Sequence, residues 1–138
     1  DIGIHSIKDA VGNLAFSKNE LEVLKGKVDI YSGNDGETIE FMKMGGKGVV
    51  SVASHVVGNE IYDLINHVLN DEIESAQHLQ NQLLPLFDLL FEEPSPGPVK
   101  YLLTKTWEDV GSPLMPITDI SSELANKLLD NFQKIKNN

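Results

Sequence analysis

Short apolar runs alternate with helix-like stretches over the first part of the chain and then give way to helical periodicity alone. Ile2 to Ile7 is β-branched and apolar and predicts a buried strand that stops at Lys8. Gly12-Asn13 marks a turn. Ser17 followed by Glu20 predicts a capping box, with Leu21 and Leu24 as the inward stripe of a short helix ending near Gly26. Val28 to Tyr31 predicts a second strand, closed by Ser32-Gly33-Asn34-Asp35-Gly36. Ile39, Phe41 and Met42 predict a helix that stops at Gly45-Gly46, and Gly48 to Ala53 reads as a third strand. Strand, helix, strand, helix, strand is the order of βαβ units, because parallel strands need a crossover between them.

From Gly58 the period is helical throughout. Ile61, Leu64, Ile65, Val68 and Leu69 form one face of a helix from about Asn59 to Asn70. Ile73, Ala76, Leu79, Leu83, Leu86, Phe87 and Leu90 continue into a longer helix, in which Pro85 predicts a kink. Three prolines between Pro94 and Pro98 predict a break, with Pro98 in the first turn of the next helix, through about Thr106. After a Pro- and Gly-containing connector from Gly111 to Pro116, a last helix starts at Ser121 or Ser122 with Leu124, Leu128, Phe132 and Ile135 inward. The chain thus divides near residue 57 into an α/β part with three parallel strands, 1–57, and a helical part, 58–138.

Composition narrows the chemistry. At 138 residues, 41% hydrophobic and 23% charged, the chain is the size of one domain and can bury a core. It has no cysteine, which excludes a thiol nucleophile and Cys-based metal sites and fits a reducing compartment. A net charge of −10 disfavours nucleic acid as a partner. All eleven basic residues are lysines, so no forked guanidinium is available for a carboxylate or phosphate substrate. No apolar run reaches the roughly 18 residues of a membrane span, and no membrane partner or leader is expected. The abrupt start of the chain beside a strand leads us to expect a fragment.

Lys8 at the end of a strand reads either as a solvated cap or as an amine nucleophile, the latter needing a lowered pKa to attack a carbonyl carbon. In (β/α)₈ barrels catalytic groups do sit at strand C-termini. Gly33, directly after a strand, serves turn geometry or the close approach of a substrate, whereas Gly45-Gly46 reads as a helix stop. Neither glycine loop matches a nucleotide fingerprint. His5, His55, His67 and His78 lack metal-ligand spacing, so no metal is expected. His5 reads as a core or barrel-lining residue, and His67 and His78 as surface residues. Tyr31, Tyr62 and Tyr101 fall in a strand interior and in helices.

Three motifs carry a resemblance. Ile7-Lys8-Asp9-Ala10-Val11-Gly12-Asn13, Tyr31-Ser32-Gly33-Asn34-Asp35 and Gly45-Gly46-Lys47-Gly48-Val49-Val50-Ser51-Val52 together resemble, in order and spacing, the C-terminal half of the dihydrodipicolinate synthase family. Pro96-Gly97-Pro98-Val99-Lys100 and Pro113-Leu114-Met115-Pro116-Ile117-Thr118 are similar to that family's helical tail. The sister sialic-acid lyases usually carry Phe-Thr after the lysine, so Lys8-Asp9-Ala10 is more like the synthase. The resemblance implies a partial (β/α)₈ TIM barrel, strands six to eight with their helices, followed by the last barrel helix and a C-terminal helical domain. It implies that Lys8 forms the Schiff base with pyruvate, that Gly33 borders the pyruvate pocket, that Asn34 and Asp35 lie near the aldehyde, and that Val50 offers a backbone carbonyl.

No cofactor is implied, and the expected partners are small-molecule substrates and further copies of the chain, in the cytoplasm. Where the family has Asn-Pro-x-Pro this chain has Ser95-Pro96-Gly97-Pro98, and Gly111 stands where the tail usually has an arginine. The family's paired threonines, proton-relay tyrosines and carboxylate-binding arginine have no counterpart here, so the isolated chain is expected to be inactive. The competing readings are an N-acetylneuraminate lyase or keto-deoxy-sugar aldolase on the same barrel, and a folded fragment without catalytic function. Parallel strands with open edges and apolar faces should not remain monomeric. Light scattering at micromolar concentration is expected to find an oligomer, and a compact monomer would contradict this.

Overall fold

The computed structural model describes residues 3–137. Two parallel strands pair in register, β1 (Ser6–Asp9) with β2 (Asp29–Ser32), joined through helix α1 (Leu14–Leu24). A 3₁₀ turn (Asp35–Glu37) and helix α2 (Thr38–Lys43) follow β2. Four helices complete the chain: α3 (Ser54–Leu69), α4 (Ile73–Leu89), α5 (Gly97–Thr106) and α6 (Ser122–Lys136). The result is an α/β fold that is mostly helical.

Three sequence expectations are corrected. The first strand runs from Ser6 to Asp9 rather than from Ile2 to Ile7, so Lys8 lies within it; Ile2 is outside the described residues. The segment expected as a third strand makes one parallel bridge, Ser32 to Val49. Lys47 N–H donates to Ile30 O, Gly48 O accepts from Ser32 N–H and Val50 N–H donates to Ser32 O, at 2.8 to 2.9 Å. The ladder then stops, because the carbonyls of Val52 and Ala53 are already taken by the amides of His55, Val56 and Val57 at the start of α3. Finally, α1 is capped by Asn13, not Ser17. The Asn13 Oδ1 accepts from the amides of Ala15 and Phe16, both at 3.1 Å, and its extended backbone leads straight into the helix.

The chain forms two compact units. The first runs up to Ser51 and includes Tyr62–Gln77. Its core joins Leu21 of α1, Ile30 of β2 and Phe41 of α2, with Ile7, Leu24, Val28 and Met44 packed against them. Phe41 is completely buried, and its ring and carbonyl lie against Gly46, where even a methyl group would collide with the ring.

The second unit comprises Val52–Ile61 and the chain from His78 onward. It buries Val57, Leu83, Leu86, Leu90, Leu102, Leu124 and Leu128. Helix α3 loses helical geometry at Val57, so a short turn precedes the expected helix. Helix α4 runs through Pro85. Pro98 occupies the first turn of α5, where its missing N–H goes unneeded. Ser121 caps α6 by accepting from Leu124 N–H at 3.2 Å, and its own amide donates to the Glu93 carboxylate. Lys136 near the end of α6 donates to Glu60 of α3.

Phe41→Ala is expected to lower the stability of the first unit by about 3–5 kcal/mol, the usual cost of emptying a fully packed phenylalanine site. Urea unfolding monitored in that unit checks this, and a loss below about 1 kcal/mol would show that the site collapses around the smaller side chain.

Candidate active site

Lys8 is the third residue of β1, with an exposed side chain, and its register partner is Tyr31. Strand alternation puts Ile7 and Ile30 toward the helix-packed core, so Lys8 and Tyr31 share the opposite face. Gly33 follows β2 immediately. Its amide donates to Asp9 O at 2.6 Å, and a Cβ placed on it would come within 2.7 Å of Lys8 Cε and 2.8 Å of Asp9 O. Glycine is therefore required here by close approach: a Cβ at position 33 would meet the fixed Asp9 carbonyl oxygen as well as the movable end of the Lys8 side chain.

Asp9, the last residue of β1, is buried. Its Oδ2 accepts from Ser17 Oγ at 2.5 Å and its Oδ1 from Val11 N–H at 2.8 Å. Ser17 lies in α1 and is itself buried; its hydroxyl goes to the Asp9 carboxylate instead of capping the helix. Two further carboxylates feel this charge. Burial, and then the Asp9 charge, push the carboxyl groups of Glu20 and Glu37 above the ordinary glutamate value of 4.5.

The remaining expected residues are held mainly by their backbones. Asn34 is exposed, and its Oδ1 accepts from Gly36 N–H at 3.0 Å, capping the 3₁₀ turn. Ser32 Oγ accepts from Asn34 N–H at 3.0 Å, closing the turn behind Gly33. Asp35 is buried, with its carbonyl accepting from Thr38 Oγ at 2.8 Å. Val50 is exposed and tied to β2 through the Val50–Ser32 backbone bond. Lys8 and Gly33 are thus in direct contact, Asn34 and Asp35 open the 3₁₀ turn that follows, and Val50 sits on the next segment.

A cleft of about 680 Å³ opens at the other end of the strand pair among His5, Leu21, Lys25, Val28 and Met44; Lys8, Gly33, Asn34, Asp35 and Val50 do not line it. His5 is exposed ahead of β1 and not in a core, its carbonyl accepting from Asp29 N–H. His67 pairs with Glu72, and His78 lies 3.3 Å from Gln82. Among the described residues no helix is long and apolar enough to cross a membrane.

The sequence pattern did not single out Asp9 and Ser17 for the part they play. Residue order marks Asp9 only as a neighbour of Lys8 and Ser17 as a candidate cap. The available signal was an acid at the last position of a strand, eight residues before a helical serine.

The described residues thus form an α/β fold with a lysine near the end of one parallel strand, set against a glycine just after the next. A sequence model of the dihydrodipicolinate synthetase family matches residues 2–135, and the chain belongs to that family. The 4-hydroxy-tetrahydrodipicolinate synthase of Listeria monocytogenes serotype 4a (strain HCC23) is 38% identical over 125 residues, which are 91% of this chain and 43% of that protein. A crystal structure of a dihydrodipicolinate synthase from Bacillus anthracis matches with a TM-score of 0.88 and 39% identity, covering 94% of this chain and 44% of that one. The Cyanidioschyzon merolae enzyme, crystallised with lysine bound, matches with a TM-score of 0.90 and 32% identity over 96% of this chain and 45% of its own. The chain spans less than half the length of these relatives.

The raised carboxyl groups of Glu20 and Glu37 make a signed prediction. A carboxyl group that holds its proton more tightly when folded penalises the fold above its raised pKa, and the penalty vanishes below the unfolded value. Glu20→Gln and Glu37→Gln should therefore each raise the unfolding midpoint at pH 7, with the gain fading as the pH falls from the raised value toward 4.5 and absent below it. Thermal unfolding across that range checks it; a gain independent of pH would assign the effect to something other than charge.

Proposed function

We propose that this chain is the C-terminal portion of a 4-hydroxy-tetrahydrodipicolinate synthase, a carbon–carbon lyase of the Schiff-base type, with Lys8 as its nucleophile. The observation that carries the reading is the seating of the Lys8 stem against Gly33 at the ends of two parallel strands, 2.7 Å from where a Cβ would stand. In this reading residues 1–57 correspond to the last three strand positions of a (β/α)₈ barrel and residues 58–138 to the last barrel helix and a helical domain.

The deprotonated Lys8 amine attacks the keto carbon of pyruvate, and loss of water leaves an imine. Removal of a proton from the pyruvate methyl carbon gives an enamine, whose carbon adds to the aldehyde of aspartate semialdehyde. The resemblance to the synthase family favours Gly33 beside the bound pyruvate, the Val50 backbone carbonyl offered to that pocket, and Asn34 and Asp35 near the aldehyde. The likeness of the first motif to the synthase rather than to sialic-acid lyases favours aspartate semialdehyde, and with it lysine biosynthesis in the cytoplasm, by a homo-oligomer.

Imine formation needs an amine and a carbonyl; condensation also needs a cation for the pyruvate carboxylate and groups to relay protons. The chain contains no arginine for the first task. By itself it should form the imine slowly and not turn over.

Borohydride reduction in the presence of pyruvate, followed by peptide mass mapping, tests the nucleophile. The adduct is expected at Lys8 and should be lost at that peptide in Lys8→Arg, since a guanidinium does not deprotonate near neutral pH. An adduct spread evenly over the other lysines would overturn the assignment. Turnover of pyruvate and aspartate semialdehyde by the 138-residue chain within about tenfold of a full-length relative would overturn the inactivity, because loss of a positioned acid–base group alone typically costs about 10²–10⁴ in rate. Cleavage of sialic acid in place of condensation would favour the aldolase alternative.

A further inference from the structure

We infer that Asp9 is a positioning residue for Lys8, acting through Gly33: its buried carboxylate anchors the end of β1 to α1 so that its own carbonyl holds the Gly33 amide, and Gly33 forms the wall on which the lysine stem rests. The inference rests on the reading of Lys8 as the nucleophile.

The geometry runs in one continuous chain. Ser17 Oγ, in α1, donates to Asp9 Oδ2 at 2.5 Å, and Val11 N–H donates to Oδ1 at 2.8 Å. Both carboxylate oxygens are thus engaged, one by the helix and one by the turn leaving the strand. The Asp9 carbonyl accepts from Gly33 N–H at 2.6 Å, and the missing Cβ of Gly33 would lie 2.7 Å from Lys8 Cε and 3.1 Å from Ala10 Cβ. Lys8 and Asp9 alternate across β1, so the aspartate works from behind the strand while the lysine faces forward. Both carboxylate oxygens are committed to these donors and neither reaches toward Lys8. What the aspartate supplies is fixed height and twist at the strand end, and a shift of about 1 Å there can cost on the order of a hundredfold in rate. Glu20 and Glu37 stand within range of its charge, and neither replaces its contacts.

The test uses the 138-residue chain, pyruvate as the probe and cyanoborohydride as the trap. The Lys8 adduct is counted against the Lys100 adduct in the same sample over a range of pH. In Asp9→Ala the Lys8 to Lys100 ratio is expected to fall about tenfold, within the span that misplacement produces. Asp9→Glu, which keeps the carboxylate, should recover most of it. Ser17→Ala, which removes only the hydroxyl, should lie between, and it keeps the proposal testable if Asp9→Ala fails to fold. Hydrogen exchange at the Gly33 amide should accelerate in step with the loss. A ratio unchanged in Ser17→Ala and in folded Asp9→Ala would overturn the positioning role alone. No excess of Lys8 adduct over Lys100 in the unsubstituted chain would instead overturn the nucleophile reading, and the positioning role with it. An equal loss in Asp9→Glu and Asp9→Ala would assign the effect to general loosening and also overturn the inference.

Discussion

A carboxylate taken out of water must find donors within the protein, and the end of β1 is arranged around that demand. Asp9 is 7% exposed, and isolated burial of its charge would be prohibitive. The two donors it receives come from elements that would otherwise be independent: the turn after the strand, through Val11, and the second turn of α1, through Ser17. Meeting the demand fixes α1 against β1. Fixing α1 places Leu21 over Ile30, and the same residue's carbonyl then draws in Gly33 after β2. One desolvated group thereby sets where the helix sits, where the strand pair ends and where the lysine stem rests.

How much of this could be read from residue order varies with the range of the interactions involved. Helices α5 and α6 were legible because their signals are local: Pro98 in a first turn, Ser121 as a cap, and Leu124 and Leu128 four apart. The strand segments were legible as apolar runs, but their extents were not. Ser6–Asp9 is set by pairing with Asp29–Ser32, and the stretch after Gly48 by competition between a ladder and the start of α3, which claims the Val52 and Ala53 carbonyls. Asn13 and Ser17 were exchanged for the same kind of reason. Either side chain can cap a helix, and a buried acid eight residues before the serine decides which does. Within the candidate site, Lys8 and Gly33 were marked by motif, yet their contact spans twenty-five positions and no spacing rule anticipates it.

Charge shapes the surface more than the stability of this molecule. The pairs Lys43–Glu40 and Lys127 with Glu92 and Glu123 are solvent-exposed. Such pairs contribute little in water. With twenty-one acidic side chains against eleven lysines, the excess is negative, and any anionic ligand approaching the chain works against that field.

Phe41 and Gly46 lie on either side of the stop of α2 and share one volume. The ring fills the place where position 46 would carry a side chain, so neither residue has a tolerance of its own. Even a smaller residue at 41 leaves its carbonyl oxygen 2.8 Å from where a Cβ at 46 would stand, so backbone as well as ring holds glycine at 46. Substitution at 46 is therefore costly whichever residue stands at 41, whereas substitution at 41 is tolerated only as far as the site can close around it. The helix stop thus constrains its two positions unequally, 46 by ring and backbone together and 41 by volume alone.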